Sequence, residues 1–250
     1  MTDVRQLRKL VWDGCINVRD LGGHPTEDGR ETRFGRIVRA DSVRRLTDEG
    51  WRALLEYGVG RIVDLRWAEE LEADPPLELR VQVVHIPLFG SRRDMDEINE
   101  IVAELHSPVA SRRVTYLECL DRFGAGFARA VEAVAACNDG AVVVHCAGGV
   151  DRTGVVVALL LRLAGVAPAE IAADYALSEQ NWAPFMEEWI AAAESEEERR
   201  MRRLLAHVPA QVMLETLETL ETTHGNVRGY LRSVGASEEA LDRVRARLRD

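Results

Sequence analysis

The sequence predicts an α/β protein whose central sheet is mostly parallel and is flanked by helices. Three observations predict this class: β-branched runs alternate with helical patterns, the predicted strands are apolar at consecutive positions, and the last third is helical. Consecutive apolar positions are typical of parallel strands, because helices cover both faces of such sheets. The 250 residues, 46% of them hydrophobic, suffice for one substantial core. We therefore expect a single domain over residues 1–250.

Four segments are predicted as strands by their β-branched runs. In chain order they are residues 36–41 (RIVRAD), 60–66 (GRIVDLR), 81–88 (VQVVHIPL) and 141–146 (AVVVHC). Ligands of such sheets bind beyond the carboxyl ends of the strands. Asp64 and Cys146 both fall at such ends, so we expect the site there.

Three helices are predicted around these strands from apolar residues at helical spacing between start and stop signals. They cover residues 47–58, 127–140 and 152–165, and each closes at a glycine. Thr47 is a typical N-cap for the first of them. Asn138 marks the end of the second.

The last third of the chain is predicted to be helical throughout. Pro168 opens one helical pattern, residues 183–205 continue it, and two further helices close the chain on either side of residues 223–235. A charged run in the middle is interpreted as a solvated helix face, because opposite charges recur at i,i+4 spacing. The pairs are Glu196 with Arg200 and Glu198 with Arg202.

Residues 91–113 lie between strand and helix patterns without being needed for the sheet. We interpret them as an insertion near the site that could act as a mobile helical lid. Its arginines either raise the positive potential at the mouth of the site or are simply solvated. They are Arg92, Arg93, Arg112 and Arg113.

Composition excludes several classes of function. The formal charge of −10 and pI near 5.2 argue against binding to nucleic acid or anionic lipid surfaces, which need cationic patches. The four cysteines form no CxxC pair or zinc-like cluster, so we expect thiols and no metal site. Lys9 is the only lysine, which excludes a Schiff-base lysine or a Walker-type loop in the body of the chain.

The sequence gives no sign of a membrane anchor. It contains no apolar run of 18 residues, and its first ten residues lack the apolar core of a signal peptide. We therefore expect a soluble, cytoplasmic protein.

The segment VVVHCAGGVDRTGVVVALLL, residues 142–161, carries the chemistry. If the strand ends at Cys146 and a helix begins near Arg152, the glycine-containing turn between them curls its amides inward. These amides and the positive end of the helix form an anion site about the size of phosphate. The residues expected to bind substrate through this turn are Ala147, Gly148, Gly149, Val150 and Arg152.

The side chains of this segment suit a nucleophile at the bottom of an anion-binding cup. The field of the loop stabilises a thiolate at Cys146. Arg152 supplies a planar, permanently charged fork that can hold two phosphate oxygens. Thr153 can direct its hydroxyl to the sulfur, and His145 can order the loop by hydrogen bonding.

With these residues the chain resembles the cysteine-dependent protein tyrosine phosphatases, and more narrowly their atypical bacterial group with HCxxGxDRTG loops. Four further segments match that group in order along the chain. They are NVRDLGG (17–23), VDLRWAEEL (63–71), DYALSEQN (174–181) and THGNVRGYLRSVGAS (223–237).

The resemblance implies a phosphatase fold and a mechanism that uses no metal and no cofactor. Cys146 would attack phosphorus to give a cysteinyl-phosphate, Arg152 would stabilise the transferring group, and water would release phosphate. The implied substrate is a phosphorylated protein or a small phosphate ester.

The proton donor is left open by the sequence, because the WPD loop of most tyrosine phosphatases is absent. The resemblance favours Asp151 as general acid, with Asp94 or Asp96 in the insertion as the alternative. Asp151 could also serve only to stabilise the loop. Asp20 and Asp64 are expected either to hold loop arginines or backbone amides, or to line the site.

Val150 departs from the pattern, since many members of the group have a lysine there. The loss of this charge weakens the case for phosphoinositides. Phosphotyrosine, with phosphoserine or phosphothreonine as further substrates, is the leading hypothesis. A phosphoinositide or small-ester phosphatase, a noncatalytic phosphate-binding module, and sulfur or arsenate chemistry on a similar loop are the alternatives. The sequence leaves the oligomeric state open.

Overall fold

The structure is a computed structural model that describes residues 7–73, 81–103, 105 and 107–249. Residues 1–6, on which the expectation about a signal peptide partly rests, lie outside this range. The four predicted strands are confirmed, and a short fifth strand that was not predicted precedes them. The strands are β1 Arg19–Asp20, β2 Ile37–Ala40, β3 Val59–Asp64, β4 Gln82–His85 and β5 Ala141–His145.

The strands form one sheet in the order β1-β2-β5-β3-β4. All neighbours are parallel except β1, which pairs antiparallel with β2 at the edge. Strand β5 is central, and its last residue, His145, lies opposite Ala40 of β2 and Asp64 of β3. The carboxyl ends of three strands therefore meet at one edge, and Cys146 follows directly at its middle.

The two faces of the sheet contribute to two separate apolar clusters. Along β5, Val142 and Val144 belong to the larger cluster, while Val143 belongs to the smaller one. This alternation follows from the two-residue period of a strand. The smaller cluster also contains Trp12 and Leu54. Apolar residues at consecutive positions are thus buried on opposite sides, as the sequence predicted.

Helices cover both faces, and most predicted ones are present with small shifts at their ends. Their bounds are α1 Asp48–Glu56, α2 Ala68–Ala73, α3 Arg92–Val102, α4 Pro108–Arg122, α5 Gly124–Ala135, α6 Asp151–Leu163, α7 Pro168–Ala191, α8 Glu196–Ala206, α9 Ala210–His224, α10 Val227–Ser233 and α11 Glu238–Arg249. Thr47 caps α1 by accepting a hydrogen bond from the Gly50 amide at 3.2 Å, as predicted. The predicted end of α5 at Asn138 is wrong, because the chain already turns at Ala136.

The C-terminal third differs from the prediction in its divisions. Helix α7 continues through Pro184 to Ala191, and α8 begins after its N-cap, Ser195. Residues 183–205 therefore belong to two helices. Three helices, not two, close the chain, because residues 223–235 contain α10 itself. Glu198 pairs with Arg202 as expected. Glu196 instead contacts Arg199, which is its neighbour on the helix surface at i,i+3 spacing, and Arg203.

The segment 91–113 is helical where it is described; residues 104 and 106 lie outside the described range. It comprises α3 and the first part of α4. Ile98 of α3 is fully buried in the larger cluster, so one face of this segment packs on the body of the protein. Its role as a lid stays a prediction.

Candidate active site

Cys146 lies at the carboxyl end of the central strand, where the sequence placed it. Its side chain is 3% exposed. The loop from Cys146 to Val150 leads directly into α6, whose first residue is Asp151. Helix α6 is apolar on almost all sides and is buried from Thr153 to Leu161, which fixes its N-terminus beneath the loop.

The carbonyl groups of the loop point outward to partners from other elements. The Ser42 amide donates to the Ala147 carbonyl at 3.0 Å, and the Trp182 indole donates to the Gly148 carbonyl at 2.8 Å. Asn17 donates its side-chain amide to the Gly148 and Gly149 carbonyls, both at 3.1 Å. In a planar trans peptide the N–H points opposite to the C=O. The following amides are therefore directed into the cup, as an anion site requires.

Gly149 is required by the shape of this loop. Its φ of +65° lies in the left-handed region that favours glycine. A Cβ atom at this position would come within 2.5 Å of the Ala40 carbonyl oxygen at the end of β2. The loop can therefore press against the neighbouring strand only with glycine at this position.

A buried charge network lies behind the loop. The Asp174 carboxylate on α7 pairs with Arg19 at 2.9 Å and with Arg39 at 2.8 Å. Arg39 in turn donates to the Gly149 carbonyl at 2.7 Å. Although burial would raise the pKa of Asp174, the two guanidinium groups outweigh it and lower that pKa strongly. The network joins segments distant in sequence and braces the loop from outside.

Arg152 is held at the edge of the loop by a carboxylate and an indole. Its guanidinium forms a bidentate ion pair with Glu70 of α2, one arm of which measures 3.0 Å. It also stacks on the Trp67 ring with its Cζ atom 4.8 Å from the ring centroid. Burial would lower the pKa of Arg152, but Glu70 and the charge of Cys146 raise it. Arg152 therefore stays cationic and oriented beside the sulfur.

Thr153 and His145 flank the loop on its helix and strand sides. The Thr153 hydroxyl is fully buried and makes no hydrogen bond within the described residues, so its predicted bond to sulfur stays a prediction. The His145 Nδ1 atom lies 3.3 Å from the Cys146 carbonyl oxygen. Burial lowers the pKa of His145, so its ring is neutral at neutral pH.

Asp64 acts at the end of β3 as the partner of an arginine. Its carboxylate accepts hydrogen bonds from the Arg66 amide at 3.0 Å and from the Arg66 guanidinium at 2.8 Å. Its Oδ2 atom also lies 3.6 Å from His145 Nε2. These contacts agree with the arginine-holding alternative predicted for Asp64, and its carboxylate lies next to the histidine that precedes Cys146.

Asp20 binds backbone amides. It accepts hydrogen bonds from the Gly22 and Gly35 amides, at 2.5 and 2.8 Å, and from the Tyr57 hydroxyl. Burial is the main reason that its pKa is raised. This arrangement shapes the turn that follows β1, which corresponds to the structural alternative of the prediction.

Asp151 is fixed by two groups from α4. The Tyr116 hydroxyl donates to its Oδ1 atom at 2.7 Å, and the Arg112 guanidinium lies 3.4 Å away. Tyr116 also shares a hydrogen bond of 2.7 Å with the Tyr175 hydroxyl. The interpretation of Arg112 as a solvated charge is wrong, because it is 8% exposed and lies beside this carboxylate. That Arg112 raises the positive potential at the mouth of the site stays a prediction. Arg113 is also paired, with Glu215 at 2.8 Å.

Asp94 and Asp96 lie on α3. The Asp94 carboxylate completes a capping box by accepting hydrogen bonds from the Ser91 amide and hydroxyl, both at 2.6 Å. These bonds lower its pKa. Asp96 is exposed to solvent. Among the three candidate acids, only Asp151 directly follows the loop that contains Cys146.

An aromatic and cationic pair flanks the loop on the side of α7. The Trp182 ring lies against Gly148, and a Cβ atom at Gly148 would lie 3.7 Å from the ring atom Cζ2. The Arg45 guanidinium lies over this ring, 5.1 Å from its centroid, and half of the Arg45 side chain is exposed. Neither residue was singled out from the sequence.

Other groups important for this site were also missed. Glu70 could have been found, because it is the glutamate of the DLR-x-x-x-E segment that carries the resemblance. Arg39 carries a signal too, since a charged residue stands in an otherwise apolar strand. Asn17, Tyr116 and Trp182 reach the loop through tertiary contacts that no local sequence pattern indicates.

The described residues offer neither a membrane-spanning helix nor a metal-binding cluster. No helix there is long and apolar enough to cross a membrane. No group of three or more histidine, cysteine, aspartate or glutamate side chains there is arranged to hold a metal ion.

Comparison with known proteins identifies the class of this site. Residues 10–250 match the family model described as the tyrosine phosphatase family. The chain therefore belongs to the tyrosine phosphatase family and is a phosphoric monoester hydrolase of the protein tyrosine phosphatase class. The predicted resemblance and fold class are confirmed.

Curated relatives agree with this assignment. A protein of Nostoc commune named tyrosine-protein phosphatase is 30% identical over 228 residues, covering 85% of this chain and 74% of the relative. A protein of Mycobacterium tuberculosis named triple specificity protein phosphatase PtpB is 28% identical over 270 residues, covering 93% of this chain and 96% of the relative.

Proposed function

We propose that this enzyme is a metal-independent cysteine phosphatase that hydrolyses phosphotyrosine through a cysteinyl-phosphate intermediate. The single observation that carries the proposal is the loop between Cys146 and Arg152, whose outward carbonyls direct the following amides inward. Such a preorganised cup stabilises the charge that develops on a transferring phosphoryl group. The noncatalytic alternative is set aside by the family assignment.

The two steps follow from the positions of these groups. In the first, the Cys146 sulfur attacks phosphorus, the ester P–O bond breaks, and the leaving oxygen takes a proton from a general acid. In the second, water attacks phosphorus and gives a proton to the carboxylate left by the general acid, the S–P bond breaks to restore the Cys146 thiolate, and inorganic phosphate is released. Arg152 binds two phosphate oxygens throughout. The Thr153 hydroxyl, buried at the start of α6, is available to the departing sulfur.

The surroundings of the cup favour an aryl ester as substrate. Trp182 presents an indole beside the loop, and aromatic rings pack favourably against one another. Val150 is largely buried and brings no charge, in contrast to the lysine expected of a site for polyanionic head groups. The name of the mycobacterial relative states a triple specificity without naming the substrates. We include phosphoserine and phosphothreonine in the proposal as further substrates.

The substrate class is tested by comparing phosphate release from four substrates at equal concentration. We expect the highest kcat/KM on a phosphotyrosine peptide, lower values on phosphoserine and phosphothreonine peptides, and the lowest on a soluble phosphoinositide. Activity is expected to be unchanged by EDTA, because no step uses a metal. A phosphoinositide preference, or loss of activity with EDTA that zinc or magnesium restores, would contradict the proposal.

Asp151→Asn tests the general acid. If Asp151 protonates the leaving oxygen, its loss should slow phenyl or alkyl phosphates by about 10²–10⁴-fold. The loss should be much smaller for para-nitrophenyl phosphate, whose leaving group needs little protonation. The measurement is kcat for a series of phosphate esters plotted against the pKa of the leaving alcohol.

The matched control for this series is Asp94→Asn, which weakens the capping box of α3 and leaves its N-cap, Ser91, in place. It is expected to lower the stability of that helix while leaving the dependence on the leaving group as in the wild type. If all esters slowed equally in the Asp151 variant, Asp151 would act only by supporting the loop. If the Asp94 variant alone showed the steep dependence, the acid would lie on α3.

A further inference from the structure

Arg39 occupies an unusual position for a charged residue. It lies in β2, next to the central strand, and its side chain is fully buried. Its guanidinium contacts the Asp174 carboxylate, the Ser178 hydroxyl and the Gly149 carbonyl oxygen at 2.8, 3.3 and 2.7 Å. Within the described residues its Nε atom makes no hydrogen bond. A buried cation with an unsatisfied hydrogen-bond donor costs free energy unless an anion balances its charge.

The network around Arg39 contains more positive than negative charge. Arg19 and Arg39 share a single carboxylate, Asp174, and no other carboxylate of the described residues pairs with either arginine. His24, also beside Asp174, does not change this balance, because burial lowers its pKa to about 4 and keeps it neutral. Arg39 itself stays charged at neutral pH, although burial and Arg19 lower its pKa to about 10.

The uncompensated charge is directed at the loop. The Gly149 carbonyl that Arg39 binds belongs to the same peptide as the Val150 N–H, which points the opposite way, into the cup. A charge-assisted bond to a carbonyl polarises its peptide and makes its N–H a stronger donor. The excess charge thus reaches the anion site both through space and through this peptide.

We propose that Arg39 is a positioning residue whose excess buried charge, over that of Asp174, stabilises the Cys146 thiolate and the phosphate bound above it. This inference rests on the proposed function, but it concerns the sulfur alone and can be tested without substrate. Arg152 acts from the opposite side of the loop. Other charged groups next to the loop are paired among themselves: Asp64 with Arg66 beside His145, Glu70 with Arg152, Asp151 with Arg112, and Asp41, at the end of β2, with Arg45.

The test measures the rate at which iodoacetamide alkylates Cys146 as a function of pH, followed by mass spectrometry of the peptide that contains it. Only the thiolate reacts, so the midpoint of this curve reports its population. In Arg39→Met the midpoint is expected to rise by about one pH unit. At a pH below the midpoint, this corresponds to a roughly tenfold smaller population of thiolate. Arg39→Lys is expected to return the midpoint toward that of the wild type.

A second pair of variants changes the charge without removing the arginine. The Ser178 hydroxyl lies 3.2 Å from Arg19 and 3.3 Å from Arg39, so Ser178→Asp would supply the missing carboxylate. Its midpoint should rise relative to Ser178→Asn, which has the same size and no charge. This pair decides the question even if Arg39→Met does not fold.

The proposal is overturned if the Ser178→Asp and Ser178→Asn curves coincide, or if folded Arg39→Met keeps the wild-type midpoint. A purely structural role would disturb both Ser178 variants alike, because their side chains are nearly isosteric. If the proposed function were wrong, the wild type and the variants would still show the expected midpoints and shifts, but the wild type would release no phosphate from substrate. The two failures are therefore distinguishable.

Discussion

Cys146→Ser is expected to reduce hydrolysis of para-nitrophenyl phosphate by about 10⁴-fold or more, the scale on which enzymes lose rate with their nucleophile. A serine hydroxyl fits the same buried site, but it is not ionised at neutral pH and is a poor leaving group in the second step. The cup itself should survive, because its amides and Arg152 are unchanged. The measurement is kcat in the wild type and the variant, together with the Kd for inorganic phosphate.

Cys15→Ser is the matched control for this substitution. The Cys15 thiol donates to the Ser42 carbonyl at 3.4 Å, and a serine hydroxyl can make the same bond. Activity is expected to stay at the wild-type level in this variant. Substantial turnover in Cys146→Ser, with a normal Kd for phosphate, would show that the sulfur is not the nucleophile.

Arg152→Ala is expected to lower kcat/KM by roughly 10³–10⁵-fold, the range seen when an arginine that stabilises a transferring phosphoryl group is lost. Both binding and turnover should suffer, because in the proposed mechanism the guanidinium contacts phosphate oxygens in the ground state and in the transition state. Arg152→Lys should recover little, since an ammonium cannot make the planar bidentate contact. Steady-state kinetics with para-nitrophenyl phosphate measure both variants.

Glu70→Gln separates the charge of Arg152 from its orientation. The variant keeps the arginine and its stacking on Trp67 but loses the charged partner that fixes it. We expect a loss of about 10²-fold or less, the size of effect that a small misplacement of a catalytic group produces. A loss in Glu70→Gln as large as that in Arg152→Ala would mean that Glu70 itself takes part in the reaction.

The strands and the loop could be predicted because their signals are local. A β-branched run such as residues 141–146 must be buried on both faces, and the glycines after Cys146 can serve only a tight turn before the apolar helix α6. The interpretation of Cys146 and Arg152 therefore needed only consecutive residues. The antiparallel strand β1 was missed because two residues carry no periodicity.

The supports of the loop could not be predicted, because they depend on which distant segments meet. Arg112 was interpreted as a surface charge, since nothing near it in sequence indicates that α4 brings it to Asp151. Asp174 was part of a recognised segment, yet its two arginine partners lie more than a hundred residues away. Residues buried in charge networks look, in sequence, like solvated ones.

The most direct measurement is to locate the phosphoryl group during turnover. The enzyme is mixed with ³²P-labelled phosphotyrosine peptide, quenched in acid within milliseconds, digested and mapped. We expect the label on the peptide containing Cys146, as a thiophosphate ester, and none on Cys146→Ser. Labelling of a histidine, aspartate or serine instead, or phosphate release with no labelled enzyme at any quench time, would contradict this expectation.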